Sequence, residues 1–322
     1  MTNDPAITIA DLRKSYGSQT VLDGIDIEVP AGTVFGLLGP NGAGKTTVVK
    51  ILSTLVRADS GTVRVAGHDV VDAPDAVRAA IGVTGQFSAV DGLLTGTENL
   101  RLMADLHHLS RTGGRARARD LLEQFDLADA AGRPASSYSG GMRRRLDLAM
   151  TLVGDPRVIF LDEPTTGLDP RSRRDLWSAV RSLVDGGVTV FLTTQYLEEA
   201  DHLADDIAVL DHGRLVAHGT PAQLKARAPG GHVEIRFADH ADLATAGAAL
   251  PAAVPDPDAL TLQVPTDGFP ALRALLDRLD AAGTRPEALT THTPDLDDVF
   301  LALTGRPATS DTRSDTQKVT TS

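Results

Sequence analysis

A glycine-rich loop between an apolar run and a helical pattern constrains the fold of this chain more than any other segment. The loop consists of Gly39, Pro40, Asn41, Gly42, Ala43, Gly44, Lys45, Thr46 and Thr47. The apolar residues 34–38 precede it, as in a buried strand, and the apolar residues after it recur at helical spacing. A strand, such a loop and a helix in this order form a phosphate-binding unit. An accidental glycine-rich turn would lack the flanking pattern, so we expect an α/β fold that binds a nucleotide.

The residue types in the loop suit a phosphate group. Glycines let the backbone wrap an anion closely, and the following helix adds the positive end of its dipole. We expect the Lys45 ammonium to reach the β- and γ-phosphates and to serve catalysis, and the Thr46 hydroxyl to bind Mg²⁺. The loop therefore predicts a nucleoside triphosphate and Mg²⁺ as ligands.

Two adjacent acids follow a second apolar run, at residues 158–161. They would lie beyond the carboxyl end of a buried parallel strand, where ligands of such sheets bind. We expect Asp162 to bind Mg²⁺ and Glu163 to polarise the water that attacks the γ-phosphate. Taken alone, the pair is also compatible with two solvated acids at a strand end.

A Ser-Gly-Gly segment opens an amphipathic helix between these two motifs. It comprises Ser139, Gly140 and Gly141. A serine at a helix start is usually only an N-cap, and that interpretation would hold if the segment stood alone. It does not stand alone, because the chain carries the lysine loop, Gln86, Ser-Gly-Gly, Asp-Glu and then Asp169 in that order.

This ordered set resembles the ATP-binding subunit of ABC (ATP-binding cassette) transporters, over roughly residues 6–225. The resemblance implies a P-loop NTPase cassette with a RecA-like core, an antiparallel β subdomain and a helical subdomain at about 87–153. It also implies a homodimer that sandwiches two ATP molecules. In that arrangement Ser139, Gly140 and Gly141 of one copy cap the γ-phosphate held by the other.

The resemblance assigns three further residues to the nucleotide. Gln86 would sense Mg²⁺ and contact the membrane partner, and Asp169 would cross the dimer interface. Tyr16 matches the aromatic residue that stacks on adenine, although a lone tyrosine is more often a packing residue.

The chain departs from the family pattern in two places. Tyr138 and Met142 stand where the signature usually has Leu and Gln, and Met cannot make the hydrogen bonds of an amide. Gln195 stands where most of these ATPases carry a catalytic histidine. We expect Gln195 to sense the γ-phosphate without a titrating group; the alternative is that the position tolerates the loss and hydrolysis is slow.

Three segments narrow the resemblance to the daunorubicin/doxorubicin-resistance group of ABC ATPases. These are residues 83–91, 192–196 and 296–305. That group implies ATP-driven export of drugs or other amphiphilic products, hence antibiotic resistance, through a separate ABC-2-type permease. The chain would then lie at the cytoplasmic face of the cell membrane.

Composition agrees with this expectation. No apolar stretch approaches the ~20 residues that span a bilayer, so a transport channel would be another chain. The net charge of −12 disfavours nucleic-acid binding, and the chain has no cysteine for disulfides or thiolate metal sites. The arginines 143–145 are expected to form ion pairs within the domain and a solvated face.

Beyond the cassette, which we place at 1–225, the pattern changes. We expect a linker at 226–231, a small α+β domain of ferredoxin-like type at 232–305, and a disordered tail at 306–322. Two other functions stay open. One is a non-transport ABC ATPase that acts on ribosomes or DNA, and the other is a regulatory module that binds ATP without hydrolysing it.

Overall fold

The computed structural model describes residues 4–85, 88–226, 231–266, 268–292, 295, 296 and 298–300. The chain divides into two compact units, one ending at Pro221 and the other beginning at Ala222. Most of the predicted linker, parts of the predicted α+β domain and the whole predicted tail lie outside the described residues. Among the described residues, no helix has the length and apolar character needed to cross a bilayer.

The elements follow in chain order. They are β1 (Ile7–Tyr16), β2 (Gln19–Val29), β3 (Val34–Leu38), α1 (Lys45–Leu52), β4 (Ser60–Val65), β5 (His68–Asp69), α2 (Pro74–Ala80), β6 (Ile81–Thr84), α3 (Gly96–Leu106), α4 (Arg111–Gln124), α5 (Gly140–Thr151), β7 (Val158–Asp162), α6 (Pro170–Asp185), β8 (Thr189–Thr194), α7 (Leu197–Leu203), β9 (Asp206–Asp211), β10 (Arg214–Gly219) and α8 (Pro221–Lys225). After α8, which lies at the boundary of the two units, come β11 (His232–Arg236), α9 (His240–Ala249), β12 (Val254–Asp256), β13 (Thr261–Pro265), α10 (Gly268–Ala281) and β14 (Ala288–His292).

A mixed sheet forms the centre of the first unit, with the strand order β10-β9-β3-β8-β7-β6. All neighbours pair in parallel except β10, which is antiparallel to β9. Every residue of β3, β7 and β8 is buried, which explains their continuous apolar sequences. Phe35, Phe160 and Phe191 pack side by side at the centre of this layer. The predicted α/β core is confirmed.

A second, antiparallel sheet has the order β2-β1-β4-β5. Its buried residues alternate with exposed ones, as expected for strands with one face in water. The helices α3, α4 and α5 form the helical region expected after about residue 87, and they share a core that includes Leu100, Leu121, Phe125 and Leu146. Thr95 and Glu98 begin α3 with a capping box, and Ser110 caps α4.

The second unit has the element order βαββαβ, and its antiparallel sheet has the strand order β12-β13-β11-β14. This is the ferredoxin-like topology that the sequence predicted. Val233, Ile235, Leu262 and Leu279 belong to its core. The short elements β5, α2, α8 and β12 were not predicted, because two to seven residues carry too little periodicity to be recognised.

Candidate functional site

Three of the predicted groups collect at the carboxyl edge of the mixed sheet, namely the phosphate loop, Gln195 and the acid pair. The strands β3, β8 and β7 are neighbours, and the phosphate loop, Gln195 and the acid pair follow them respectively. The Gly39 N–H donates to the Thr194 carbonyl oxygen at 3.2 Å, which joins the start of the loop to β8. A side chain at Gly39 would place its Cβ 2.2 Å from the Leu210 carbonyl oxygen, so this approach requires glycine.

Two other glycines shape the loop. Gly42 and Gly44 have φ angles of 83° and 113°, in the left-handed region that favours glycine. Gly44 is the N-cap of α1, and a Cβ added at this position would collide with Leu22. A Cβ added at Gly42 would meet nothing within 4 Å, and both Asn41 and Gly42 are exposed. The loop thus forms an open cradle at the start of a helix, with Ala43 buried and Pro40 and Thr47 half-buried, which fits a phosphate group.

The Lys45 side chain is almost fully buried between the loop and the acid pair. Its Nζ donates to the carbonyl oxygens of Gly39 and Pro40, at 2.7 and 3.1 Å, and lies 3.6 Å from Glu163 Oε1. Burial lowers the pKa of Lys45, and the carboxylates of Glu163 and Asp162 oppose that effect. The ammonium therefore lies at the cradle, where a phosphate-binding lysine must be placed.

Thr46 and Asp162 lie together beside the cradle. The Thr46 Oγ1 is 3.4 Å from Asp162 Oδ1, and Asp162 also accepts a hydrogen bond from Thr193 Oγ1 at 2.5 Å. A hydroxyl and a carboxylate are the oxygen donors that Mg²⁺ prefers. The pair therefore fits the metal that the sequence predicts.

Glu163 occupies a strained turn directly after β7. Its φ of 49° is unusual for a residue with a side chain, and its N–H donates to the carbonyl oxygen of Thr193 at 3.1 Å. The Thr166 hydroxyl lies 3.4 Å from its Oε2. Strain of this kind is found where a side chain must be aimed at a site, and here the carboxylate lies beside Lys45.

The Ser-Gly-Gly segment begins α5. The Ser139 Oγ accepts a hydrogen bond from the Met142 N–H at 3.2 Å, so the N-cap interpretation is correct. Ser139 and Gly140 are exposed, whereas Gly141 lies against α6, where a Cβ would be 2.5 Å from Ser172 Oγ. The cap uses the serine oxygen, and it leaves this helix end open to solvent.

Asp169 caps the neighbouring helix. It accepts hydrogen bonds from the N–H groups of Arg171 and Ser172, both at 3.0 Å, and from the Ser172 hydroxyl at 2.7 Å. These bonds lower the pKa of Asp169. Within the described part of the chain, Lys45 and Thr46 make no hydrogen bond or ion pair with residues 138–142 or with Asp169.

The remaining predicted residues are placed as follows. Tyr16 is half-exposed, with Lys14 Nζ 5.3 Å from its ring centroid. Gln195 is half-buried directly after β8. Gln86 lies outside the described residues. The predicted ion pairs of the arginine run are present, since Arg144 pairs with Asp147 and Arg145 with Asp126.

Thr193 is a site residue that the sequence did not indicate. Its hydroxyl and carbonyl contact both members of the acid pair. The motif search missed it because threonine in a strand reads as an ordinary β-former. The pairing of Asp162 with Thr193 in the sheet is the signal that would have found it.

Comparison with known proteins gives consistent matches. The family model described as "ABC transporter" matches residues 22–166. The daunorubicin resistance ATP-binding protein DrrA3 of Streptomyces coeruleorubidus is 52% identical over 305 residues, covering 94% of this chain and 96% of that protein. The Nod factor export ATP-binding protein I of Ralstonia nicotianae is 39% identical, with 94% of each chain covered.

Solved structures agree in fold. An ATP-binding cassette of an ABC transporter in its ADP conformation has a TM-score of 0.62 and 25% identity, and covers 68% of this chain and 92% of its own. The protein cbiO1 of Clostridium perfringens, part of an ABC transporter complex, has a TM-score of 0.64 over 70% of this chain and 92% of its own, at 24% identity. The latter likeness is one of fold alone.

Proposed function

The chain belongs to the ABC transporter ATP-binding proteins, and we propose that it powers export of a drug or other amphiphile through a separate membrane permease. It is an ATPase subunit of this family. Relatives at about half identity along nearly the whole chain are named for daunorubicin or doxorubicin resistance. A relative at 39% identity is named for export of Nod factor. Drug and Nod factor names together favour an amphiphilic cargo over a small ion.

One observation carries the catalytic part of the proposal. The buried Lys45 ammonium connects the carbonyl oxygens of the phosphate loop with the Glu163 carboxylate, 3.6 Å away. A γ-phosphate bound in the cradle would lie within reach of both groups. Glu163 is then placed to accept a proton from the attacking water, while Lys45 stabilises the charge on the phosphate oxygens.

Mg²⁺ belongs to the proposal, because Thr46 and Asp162 offer oxygen donors at the same edge. Bound there, it would neutralise charge on the β- and γ-phosphates. Thr193 has a supporting role, since its hydroxyl orients Asp162 and its carbonyl fixes the backbone of Glu163. Gln195 extends from the end of the same strand and would contact the γ-phosphate with its amide group.

A homodimer follows from the exposure of the signature segment. Ser139 and Gly140 present an N-terminal helix end to solvent, and such an end binds anions well. Because Lys45 and Thr46 make their contacts elsewhere, we propose that this helix end completes the site of a second copy. ATP would close the dimer by contacting both copies, and hydrolysis would reopen it.

The permease would bind at the helical region, which keeps an uncovered surface. Leu102 and Leu106 lie one turn apart on α3 and are exposed. In the same helical region, a cavity of about 370 Å³ is lined by Arg101 of α3 and by Arg115, Arg119 and Glu123 of α4, among others. Apolar and basic surface together suit a cytoplasmic segment of a membrane protein, and they would hold the chain at the cytoplasmic face.

The test combines turnover with transport. Phosphate release by the purified chain would be measured with Mg²⁺-ATP, alone and with membranes that contain a candidate permease. Cells with both proteins should accumulate less daunorubicin than cells with the Glu163→Gln chain and the same permease. Equal daunorubicin accumulation in the two kinds of cell would exclude drug export. Turnover that the permease does not change would exclude coupling between ATP hydrolysis and the permease.

A further inference from the structure

A buried ion pair on α5 has no part in the chemistry described above. Arg144 Nη1 lies 3.2 Å from Asp147 Oδ2, and the two side chains are only 12% and 4% exposed. Burying such a pair costs free energy, which its mutual attraction and further hydrogen bonds offset; among the described residues these bonds leave Arg144 Nη2 without a partner. The further partners of this pair therefore indicate what it holds in place.

The partners come from two segments distant in sequence. Arg144 Nε donates to the Pro164 carbonyl oxygen at 2.8 Å, and its Nη1 donates to the Gly85 carbonyl oxygen at 3.2 Å. Asp147 Oδ1 accepts a hydrogen bond from the Ala89 N–H at 3.0 Å. Gly85 follows β6, Ala89 precedes α3, and Pro164 follows Glu163 directly.

These contacts connect the helical region to two parts of the proposed ATP site. One part is the turn that carries Glu163, and the other is the Ser139 end of α5. Through Pro164 the pair holds the turn that carries Glu163. Because Ser139 caps the same helix, a displacement of α5 also moves Ser139. Burial lowers the pKa of Arg144, and the carboxylates of Asp147, Glu199 and Asp162 oppose this, so the guanidinium keeps its charge amid acids of the site and of α7.

We propose that Arg144 and Asp147 are positioning residues, which couple the backbone of Gly85 and of Ala89 to the turn that carries Glu163 and to Ser139. The inference rests on the proposed function, because it concerns the same ATP site. A shift of Gly85 or Ala89 would reach the catalytic turn and the Ser139 end of α5 through this one ion pair. Neither residue touches the nucleotide.

The protein carries its own reporter of this coupling. Its single tryptophan, Trp177, is buried and donates through Nε1 to Glu199 Oε1 at 3.4 Å. Glu199 is one of the carboxylates that act on Arg144. A change around Arg144 on nucleotide binding should therefore alter the emission of Trp177.

The experiment uses the full chain with Mg²⁺-ATP and records kcat, KM and Trp177 emission. Arg144→Lys keeps the charge but loses the planar set of donors. It should lower kcat about ten- to a hundredfold, the effect of one or two lost charge-assisted hydrogen bonds, with KM changed less than about threefold. The ATP-dependent emission change should disappear. Arg145→Lys is the matched control on the same helix, since Arg145 bonds the Phe125 carbonyl oxygen instead.

Asp147→Asn gives a second, nearly isosteric probe that should show the same pattern if Arg144→Lys does not fold. Wild-type kcat and emission in both variants would overturn the proposal. So would a loss confined to KM and thermal stability, or an equal loss in the Arg145→Lys control, because these indicate a merely structural role. Glu163→Gln distinguishes failure of the proposed function from failure of this inference. If the proposed function is wrong, Glu163→Gln retains turnover. Under our account, Glu163→Gln loses turnover and keeps the ATP-dependent change in Trp177 emission.

Discussion

The phosphate-loop edge and the signature end of α5 differ in how far a single chain completes them. At the first, Lys45 is buried and already contacts loop carbonyls and a carboxylate. At the second, Ser139 and Gly140 are exposed, and among the residues that the structure describes Ser139 bonds only within its own helix start. The first region is preorganised within one chain, and the second is an exposed surface that, under our proposal, a second copy covers. An ATPase divided in this way links its chemistry to association.

The largest expected effect comes from a substitution that disables only the phosphate-loop edge. Glu163→Gln keeps the size of the side chain but removes the base, so kcat for phosphate release should fall about 10²- to 10⁴-fold. Binding of ATP should persist, because Lys45 and the loop are unchanged. Glu198→Gln is the control, since Glu198 is an exposed acid at the start of α7. Equal turnover in Glu163→Gln and wild type would exclude Glu163 as the base.

The second prediction compares a glycine from each region by urea unfolding. Gly39→Ala places a methyl group 2.2 Å from the Leu210 carbonyl oxygen, and should reduce the free energy of unfolding by about 1–3 kcal/mol. Gly140→Ala meets its nearest atom, Leu168 Cδ2, at 3.8 Å, and should stay within about 0.5 kcal/mol of wild type. Comparable losses in both variants would show that the signature end is as tightly packed as the loop.

The third prediction concerns Gln195, which lies at the loop edge. Gln195→Ala removes one neutral hydrogen bond to the γ-phosphate, so kcat should fall about three- to tenfold. Because Gln does not titrate, kcat of the wild type should show no step near pH 6.5, whereas Gln195→His should introduce one. A wild-type rate in Gln195→Ala would rule out phosphate sensing by this residue.

The smallest expected effects are on thermal stability, and they come from two carboxylates whose pKa values are shifted in opposite directions. Burial raises the pKa of Glu199, although nearby hydroxyls of Thr194 and Thr165 and the Trp177 N–H oppose it. The folded state then binds more protons than the unfolded state, so stability falls as pH rises above about 4.5. Glu199→Gln should therefore raise the thermal midpoint at pH 7, and the gain should vanish below pH 4.5.

The pKa of Asp169 is shifted in the opposite direction. Hydrogen bonds from Ser172 lower its pKa, so its contribution to stability is present above the ordinary value of 3.8 and is lost as pH falls below it. Asp169→Asn should thus lower the thermal midpoint at pH 7, and the difference should shrink in acid. Midpoints of the two variants that move in the same direction at pH 7 would contradict these assignments.

The sequence predicted the contacts that are local and missed those that depend on strand pairing. The phosphate loop, the acid pair and the Ser139 cap each lie within a few residues of a recognisable strand or helix boundary. Their meeting at one edge followed from the parallel sheet. By contrast, the role of Thr193 depends on the register between β7 and β8, which no single strand reveals.

The partners of Arg144 illustrate the same limit. Ion pairing within the domain was expected, and its Asp147 partner lies on the same helix. The bonds to Gly85 and Pro164 connect residues far apart in the chain, and they involve carbonyl groups that every residue possesses. No pattern of side chains could indicate them. Likewise, the need for glycine at position 39 arises from Leu210 on the neighbouring strand β9, which is far away in the chain.

The most direct test mixes two inactive chains, one altered in each region. Lys45→Ala disables the phosphate loop, and Ser139→Arg blocks the signature end. Each variant alone should lack turnover, because each homodimer would have two defective sites. In a mixture, a heterodimer would contain one site with both regions intact, so turnover should return to about a quarter of the wild-type value. A mixture as inactive as its components would contradict a site shared between two copies.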